Sequence, residues 1–136
     1  MLNTTVCALC QSKEESCQHL FLECTHALRV WSLCFKWIGI LFVQHKDLIS
    51  HFESFHLAHS SNKQNLVWKG VWAAIVRCLW EHRNSVVFKQ GVADAEEVFQ
   101  KAHLKSWLWM KHRAHNFNYG FAEWILNPMP CISSYK

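Results

Sequence analysis

The stretch Lys63–Phe88, KQNLVWKGVWAAIVRCLWEHRNSVVF, places Trp68, Trp72, Ile75, Leu79, His82 and Val86 at alternating steps of four and three. Those steps track the 3.6-residue turn of an α-helix, so the six side chains share one face. The run predicts one long helix whose striped side is core. Gln90-Gly91 then stops it, because glycine readily takes the left-handed conformation that ends helices.

The same period extends outward. Val30, Trp31, Cys34, Trp37, Ile38 and Leu41 fall on one face of a second helix, weakened at its end by Gly39, and Leu48–Leu57 forms a shorter amphipathic piece. Beyond the long run, Asp94 caps a helix that carries Val98, Ala102 and Trp109. Asn127-Pro128-Met129-Pro130 cannot continue a helix and predicts an irregular tail over 116–136. Strand signals are nearly absent, apart from a small hairpin through Thr5–Gln11.

The 136 residues are 51% hydrophobic, with eight Trp and nine Phe, which is enough apolar area for one compact core. Four Gly, two Pro and no Ser-rich run leave no evident linker, so a single domain over 1–136 is expected: a metal-binding element and first long helix in 1–43, then a helical remainder in 44–136. Met-Leu-Asn-Thr-Thr has no basic leader before an apolar run, which argues against a secretory signal. The most apolar stretch, Trp31–Val43, contains Lys36 and is too short to span a bilayer. An intracellular, reducing location, nucleus or cytoplasm, is expected. Seven cysteines, an odd number, then suit metal ligation better than disulfides.

Cys7, Cys10, His19 and Cys24 form a Cys-x2-Cys-x8-His-x4-Cys array. Two residues between thiols let one tight turn bring both sulfurs onto one ion, and a structural Zn²⁺ takes four such ligands in a tetrahedron. The bland alternative is buried thiols behaving as small hydrophobes. Cys17 and His26 lie two residues from His19 and Cys24, and either can replace its neighbour in the set. His19 is preferred because Ser16 reads as the N-cap of a helical turn with Leu20 and Phe21 just inside. His19 and Cys24 are five residues apart, wider than one α-turn, so they converge only if the helix loosens near Cys24. Cys34 and Cys78 lie in apolar helical patterns and read as core.

The run Cys7-Ala8-Leu9-Cys10, then Glu15-Ser16-x-x-His19-Leu20-Phe21-Leu22-x-Cys24, then Ala27-Leu28-x-Val30-Trp31, resembles the reverse-transcriptase zinc-binding domain found downstream of the polymerase in plant LINE-type retroelements. Trp80-x-x-Arg83-Asn84-x-x-Val87-Phe88, Ser106-Trp107-x-Trp109 and Trp124-x-x-Asn127-Pro128-x-x-Cys131 are similar to blocks that follow it. The resemblance covers most of the chain. It implies a small helical zinc module that assists nucleic-acid handling and is not itself catalytic. Cys17 falls where that family varies, so no ligand role is carried onto it. The expected fold is mainly α, with a small zinc-knuckle-like N-terminal element packed on a bundle of about four helices.

Net charge is only +4, but it is unevenly spread. No acidic residue lies between Val98 and Ala122, whereas Lys101, Lys105, Lys111 and Arg113 do, with His103, His112 and His115 among them and Trp107, Trp109, Phe117 and Tyr119 interleaved. Cations neutralise phosphates and aromatic faces stack on unpaired bases, so this segment is the candidate surface for RNA or single-stranded DNA. The opposing view places the Trp rings in the core and the lysines merely in solvent.

His45, His51, His56 and His59 cluster without a cysteine among them, and exposed histidines on an amphipathic piece need no metal. Asp94, Glu96 and Glu97 sit at a helix start, where they complement the dipole. There is no polymerase-like Asp-Asp pair, glycine-rich phosphate loop or Gly-x-Ser-x-Gly elbow, and an enzyme is not expected. Three functions follow: a zinc-stabilised nucleic-acid-binding module, a protein-interaction module built on the same zinc element, or a decayed retroelement fragment without activity.

Overall fold

The computed structural model of the chain describes residues 6–113 and 117–135. They hold a π-helical turn at His19–Glu23 and six α-helices: α1 Thr25–Ile38, α2 Leu48–Glu53, α3 Asn62–Lys89, α4 Ala95–Arg113, α5 Phe121–Leu126 and α6 Pro128–Ser133. The fold is mainly α, with a Cys/His cluster at its N-terminal end and the helices packed together. The expected hairpin is reduced to a single bridge between Val6 and Glu14 around the first two cysteines. Thr5 lies outside the described residues.

The central helix α3 begins in a reciprocal cap. Ser61 Oγ accepts from the Gln64 amide at 3.1 Å, and Gln64 Oε1 accepts from the Ser61 amide at 3.0 Å. Along its stripe Trp68, Ile75, Leu79 and His82 are buried, while Trp72 and Val86 are half-buried at the margin. The helix runs to Lys89, one residue past the expected Phe88, and it is Gln90 and not Gly91 that takes the left-handed conformation there, at φ 56°. Helix α4 packs along α3, and Gly70 permits the approach: a Cβ there would lie 2.8 Å from the Trp109 ring.

Helix α1 buries Val30, Trp31, Cys34 and Ile38, with Trp37 half-buried. Leu41 departs from the expected face and is 89% exposed. Gly39 explains this: at φ 90° it ends the helix, so the 3.6-residue period no longer applies two residues later. Between α1, α2 and α3 lies an aromatic layer in which Phe55 stacks on Trp68 at 4.5 Å and Phe35 meets both edge-on.

Asp94 caps α4 as expected, its Oδ1 accepting from the amides of Glu96 and Glu97 at 3.1 and 3.4 Å. The irregular tail is a correction, since most of it is α5 and α6. Pro128 and Pro130 both fall in the first turn of α6, where a backbone N–H has no intrahelical partner to lose. The tail also supplies core, with Trp124, Cys131 and Ile132 all buried. No helix among the described residues is long and apolar enough to cross a membrane.

Candidate metal centre

The first two thiols are set by a tight turn. Cys7 N–H donates to Lys13 O at 2.8 Å and Gln11 N–H donates to Cys7 O at 2.9 Å, which closes the turn over Cys7–Gln11, and Gln11 at φ 56° redirects the chain after Cys10. The second pair comes from a helical turn that starts at Ser16, whose hydroxyl accepts from the His19 amide at 3.0 Å. The turn then widens into π-helix over His19–Glu23, and Cys24 N–H donates to His19 O at 2.6 Å. This i to i+5 bond is the loosening that the five-residue spacing required. The Trp31 indole N–H fastens the turn to α1 by donating to Phe21 O at 2.7 Å.

The donor atoms of Cys7, Cys10, His19 and Cys24 consequently all lie within 4.8 Å of one another. Cys7 and Cys24 Sγ are 3.8 Å apart, and Cys10 Sγ is 3.3 Å from His19 Nε2. Zn–S bonds of about 2.3 Å and Zn–N bonds of about 2.0 Å at tetrahedral angles give S···S edges of about 3.8 Å and S···N edges of about 3.5 Å. The two observed distances are close to such edges, and with the remaining pairs inside 4.8 Å the group could hold a metal ion such as zinc. Cys7, Cys24 and His19 are buried and Cys10 is half-buried, as in a closed structural site. Cys17 is exposed and neither it nor His26 belongs to the group. Among the described residues no second group of three metal donors converges, so the His45–His59 cluster forms none.

Two of the four groups, Cys10 and Cys24, are strongly perturbed. Burial opposes a thiolate at Cys10, but hydrogen bonds from the Ser12 hydroxyl and amide, from His19 and from the Lys13 amide outweigh it and hold the thiol down at about 5. Burial pushes the Cys24 thiol up to about 12, amide hydrogen bonds from His26 and Ala27 oppose this, and the charges of Cys7 and Cys10 add to it. A divalent ion held there would offset both the burial and the mutual repulsion of the sulfurs.

The candidate nucleic-acid residues do not form one open face. Lys101 pairs with Glu97 at 3.4 Å, and Lys105 lies 3.8 Å from Glu81, an acid brought in from α3 that the local acid-free sequence does not reveal. Trp107 is half-buried, donates its indole N–H to Tyr119 O at 3.0 Å and packs on Phe121. Trp109 is half-buried against Gly70. Lys111 and Arg113 are exposed and lie over the rings of Trp107 and Trp109, at 5.7 and 5.2 Å. Phe117 is buried, Tyr119 half-buried, and His115 lies outside the described residues. The aromatics interleaved in the sequence are therefore largely committed to packing, and the cations remain as the accessible groups. Arg77, 73% exposed at its side chain and bonded to Glu81 at 2.8 Å, joins this edge from α3 and has no signal in the α4 sequence.

No family model matches the chain, no curated protein matches it, and no solved structure matches it. The resemblance to the retroelement zinc-binding domain accordingly rests on the quoted residues alone.

Proposed function

We propose that this chain is a non-catalytic helical module held at its N-terminal end by one structural Zn²⁺, and that it presents the basic edge of α4 to RNA or single-stranded DNA. The observation that carries the metal half is the convergence of Cys7, Cys10, His19 and Cys24 with two edges close to tetrahedral length. Support for the nucleic-acid half comes from the exposed Lys101, Lys111 and Arg113, with half-exposed Lys105, and from the resemblance to a domain that accompanies a polymerase. Because Trp107 and Trp109 are packed, binding here is expected to run through phosphates, weak, salt-dependent and indifferent to base sequence.

A protein-interaction role is the second reading. It is favoured by a groove of about 720 Å³ between α4 and α5, lined in part by Leu104, Phe121 and Ile125, with Leu108 and Leu126 also exposed nearby. Metal analysis of the purified chain together with a salt titration of single-stranded RNA binding decides between them. One equivalent of zinc and an affinity that falls steeply with salt support the nucleic-acid module. Zinc without salt-dependent binding leaves the interaction role in front.

A further inference from the structure

The zinc turn is tied to the middle of the chain by an ion pair. Glu15 Oε1 accepts from Arg83 of α3 at 2.7 Å (Nη2) and 3.1 Å (Nε), and both side chains are largely buried, at 21% and 18% exposure. The other oxygen, Oε2, accepts from the amide of Ala8 at 3.3 Å. Ala8 lies inside the Cys7–Cys10 turn, so one carboxylate holds the first two metal thiols and a helix 68 residues away. Arg83 is fixed on its remaining sides as well, with Nη1 donating to Asn84 Oδ1 at 3.0 Å and the guanidinium lying 5.3 Å from the Trp80 ring. A planar guanidinium binding a carboxylate through two nitrogens restricts both partners in orientation as well as distance, which a lysine cannot do.

We infer that Arg83 is a positioning residue for the metal site, acting through Glu15, so that the hold on zinc depends on a side chain in α3. This rests on Cys7, Cys10, His19 and Cys24 being a zinc site. Groups hydrogen-bonded directly to metal ligands typically change metal affinity ten- to a hundredfold, and Arg83 acts one step further out, through Glu15 and the Ala8 amide. The coupling is reciprocal by linkage: if α3 steadies the zinc turn, zinc steadies the part of α3 around Arg83.

The test compares the full chain with Arg83→Gln, Glu15→Gln and the double variant, in zinc competition against a chromophoric chelator and in Co²⁺ absorption spectra. Arg83→Gln should lower zinc affinity about tenfold, the low end of the range for direct partners of a ligand, and weaken the sulfur-to-cobalt band. The double variant, which can restore a neutral amide–amide hydrogen bond, should lose less than the product of the two single losses. Arg83→Lys, which keeps the charge without the two-pronged grip, should fall between wild type and Arg83→Gln. Ile75→Val, a core change away from the site, should leave the affinity unchanged, which separates positioning from general loss of stability. If Arg83→Gln does not fold, Arg83→Lys is read in its place. A wild type that takes one equivalent of zinc, with Arg83→Gln (or, where that variant does not fold, Arg83→Lys) binding within about twofold of it, overturns the inference while leaving the zinc site standing. A wild type that takes no zinc overturns the zinc site itself.

Discussion

The amide of Cys24 donates to the carbonyl of His19 at 2.6 Å, across five residues where an α-helix would close over four. That single widened turn puts an imidazole and a thiol with x4 spacing on one side of the chain. Inserting one residue into it should carry Cys24 away from His19 by roughly 100° about the helix axis, whereas deleting one would leave the pair at i and i+4, on one face of an α-helix. Insertion of one alanine after the exposed Glu23 is therefore expected to abolish tight zinc binding, while the exposed substitution Glu23→Ala leaves it intact. Equal zinc affinities for the two variants would show that the turn has no part in ligand placement.

Zinc should be present at one equivalent in protein purified under reducing conditions, and it should be strongly stabilising. Structural zinc contributes on the order of 10 kcal/mol in small modules, and here its ligands are also core, since Cys7 and Cys24 are fully buried beside Leu20 and Trp31. Cys10→Ser is expected to release the metal and unfold the N-terminal element while much of α3 stays helical. Cys17→Ser, at an exposed thiol outside the cluster, should leave zinc content unchanged. Less than half an equivalent of zinc in the wild type sinks the claim.

Trp68 and Trp72 share a stripe but not a depth. Trp68 is fully buried under Phe55, so Trp68→Ala should cost about 3–5 kcal/mol. Trp72 is half-buried, packs on Phe52 and donates its indole N–H to His51 Nδ1 at 2.7 Å. Trp72→Ala should therefore cost less, about 2–3 kcal/mol, part of it from the lost hydrogen bond. Urea unfolding of the two variants gives the order directly, and a larger loss at Trp72 would mean that the stripe faces the other way.

Helix type and most of the core are legible in the sequence because buried Trp68, Ile75, Leu79 and His82 keep a strict 3.6-residue period, which depends only on local sequence. The convergence of the four candidate metal donors is legible for a related reason, since each pair lies within a short local segment. Leu41 escapes the pattern because a left-handed glycine resets the period, and α6 escapes it because prolines that break a helix interior are harmless in its first turn. Glu81 beside Lys105 and Arg83 beside Glu15 join positions distant in sequence, and nothing local announces such pairs.

Two histidines make the fold sensitive to acid. Burial pushes His51 down to about 4, with His45 nearby adding to the effect, and burial alone does the same to His103. An unfolded histidine titrates near 6.5, so between about pH 6.5 and 4 the unfolded chain binds protons that the folded chain refuses. The stability they contribute is complete above about pH 6.5 and is lost as pH falls toward 4, each site giving a slope of up to about 1.4 kcal/mol per pH unit. His51→Asn removes one titrating group while keeping an acceptor for Trp72, so its urea midpoint should change less between pH 7 and pH 5 than that of the wild type. The thiols are common to both proteins, and the difference isolates His51. An identical pH dependence would mean that His51 is solvated.

Glu81 is the acid that tempers the basic edge, holding Arg77 at 2.8 Å and lying 3.8 Å from Lys105. If that edge binds single-stranded RNA through its cations, Glu81→Gln should free two of them for phosphate. Affinity should then rise several-fold, and the slope of log affinity against log salt should steepen by about 0.7 for each further phosphate neutralised. Lys105→Glu with Lys111→Glu should act in the opposite direction, weakening binding well beyond twofold and flattening the slope. Both substitution sets lie at side chains that are exposed or half-exposed, so helix content and zinc stoichiometry are expected to be unchanged and serve as controls. Glu81→Gln leaving RNA affinity where it was, together with an unaltered salt slope in the lysine variant, would remove this edge as the phosphate-binding surface and favour the apolar groove between α4 and α5 as the working surface.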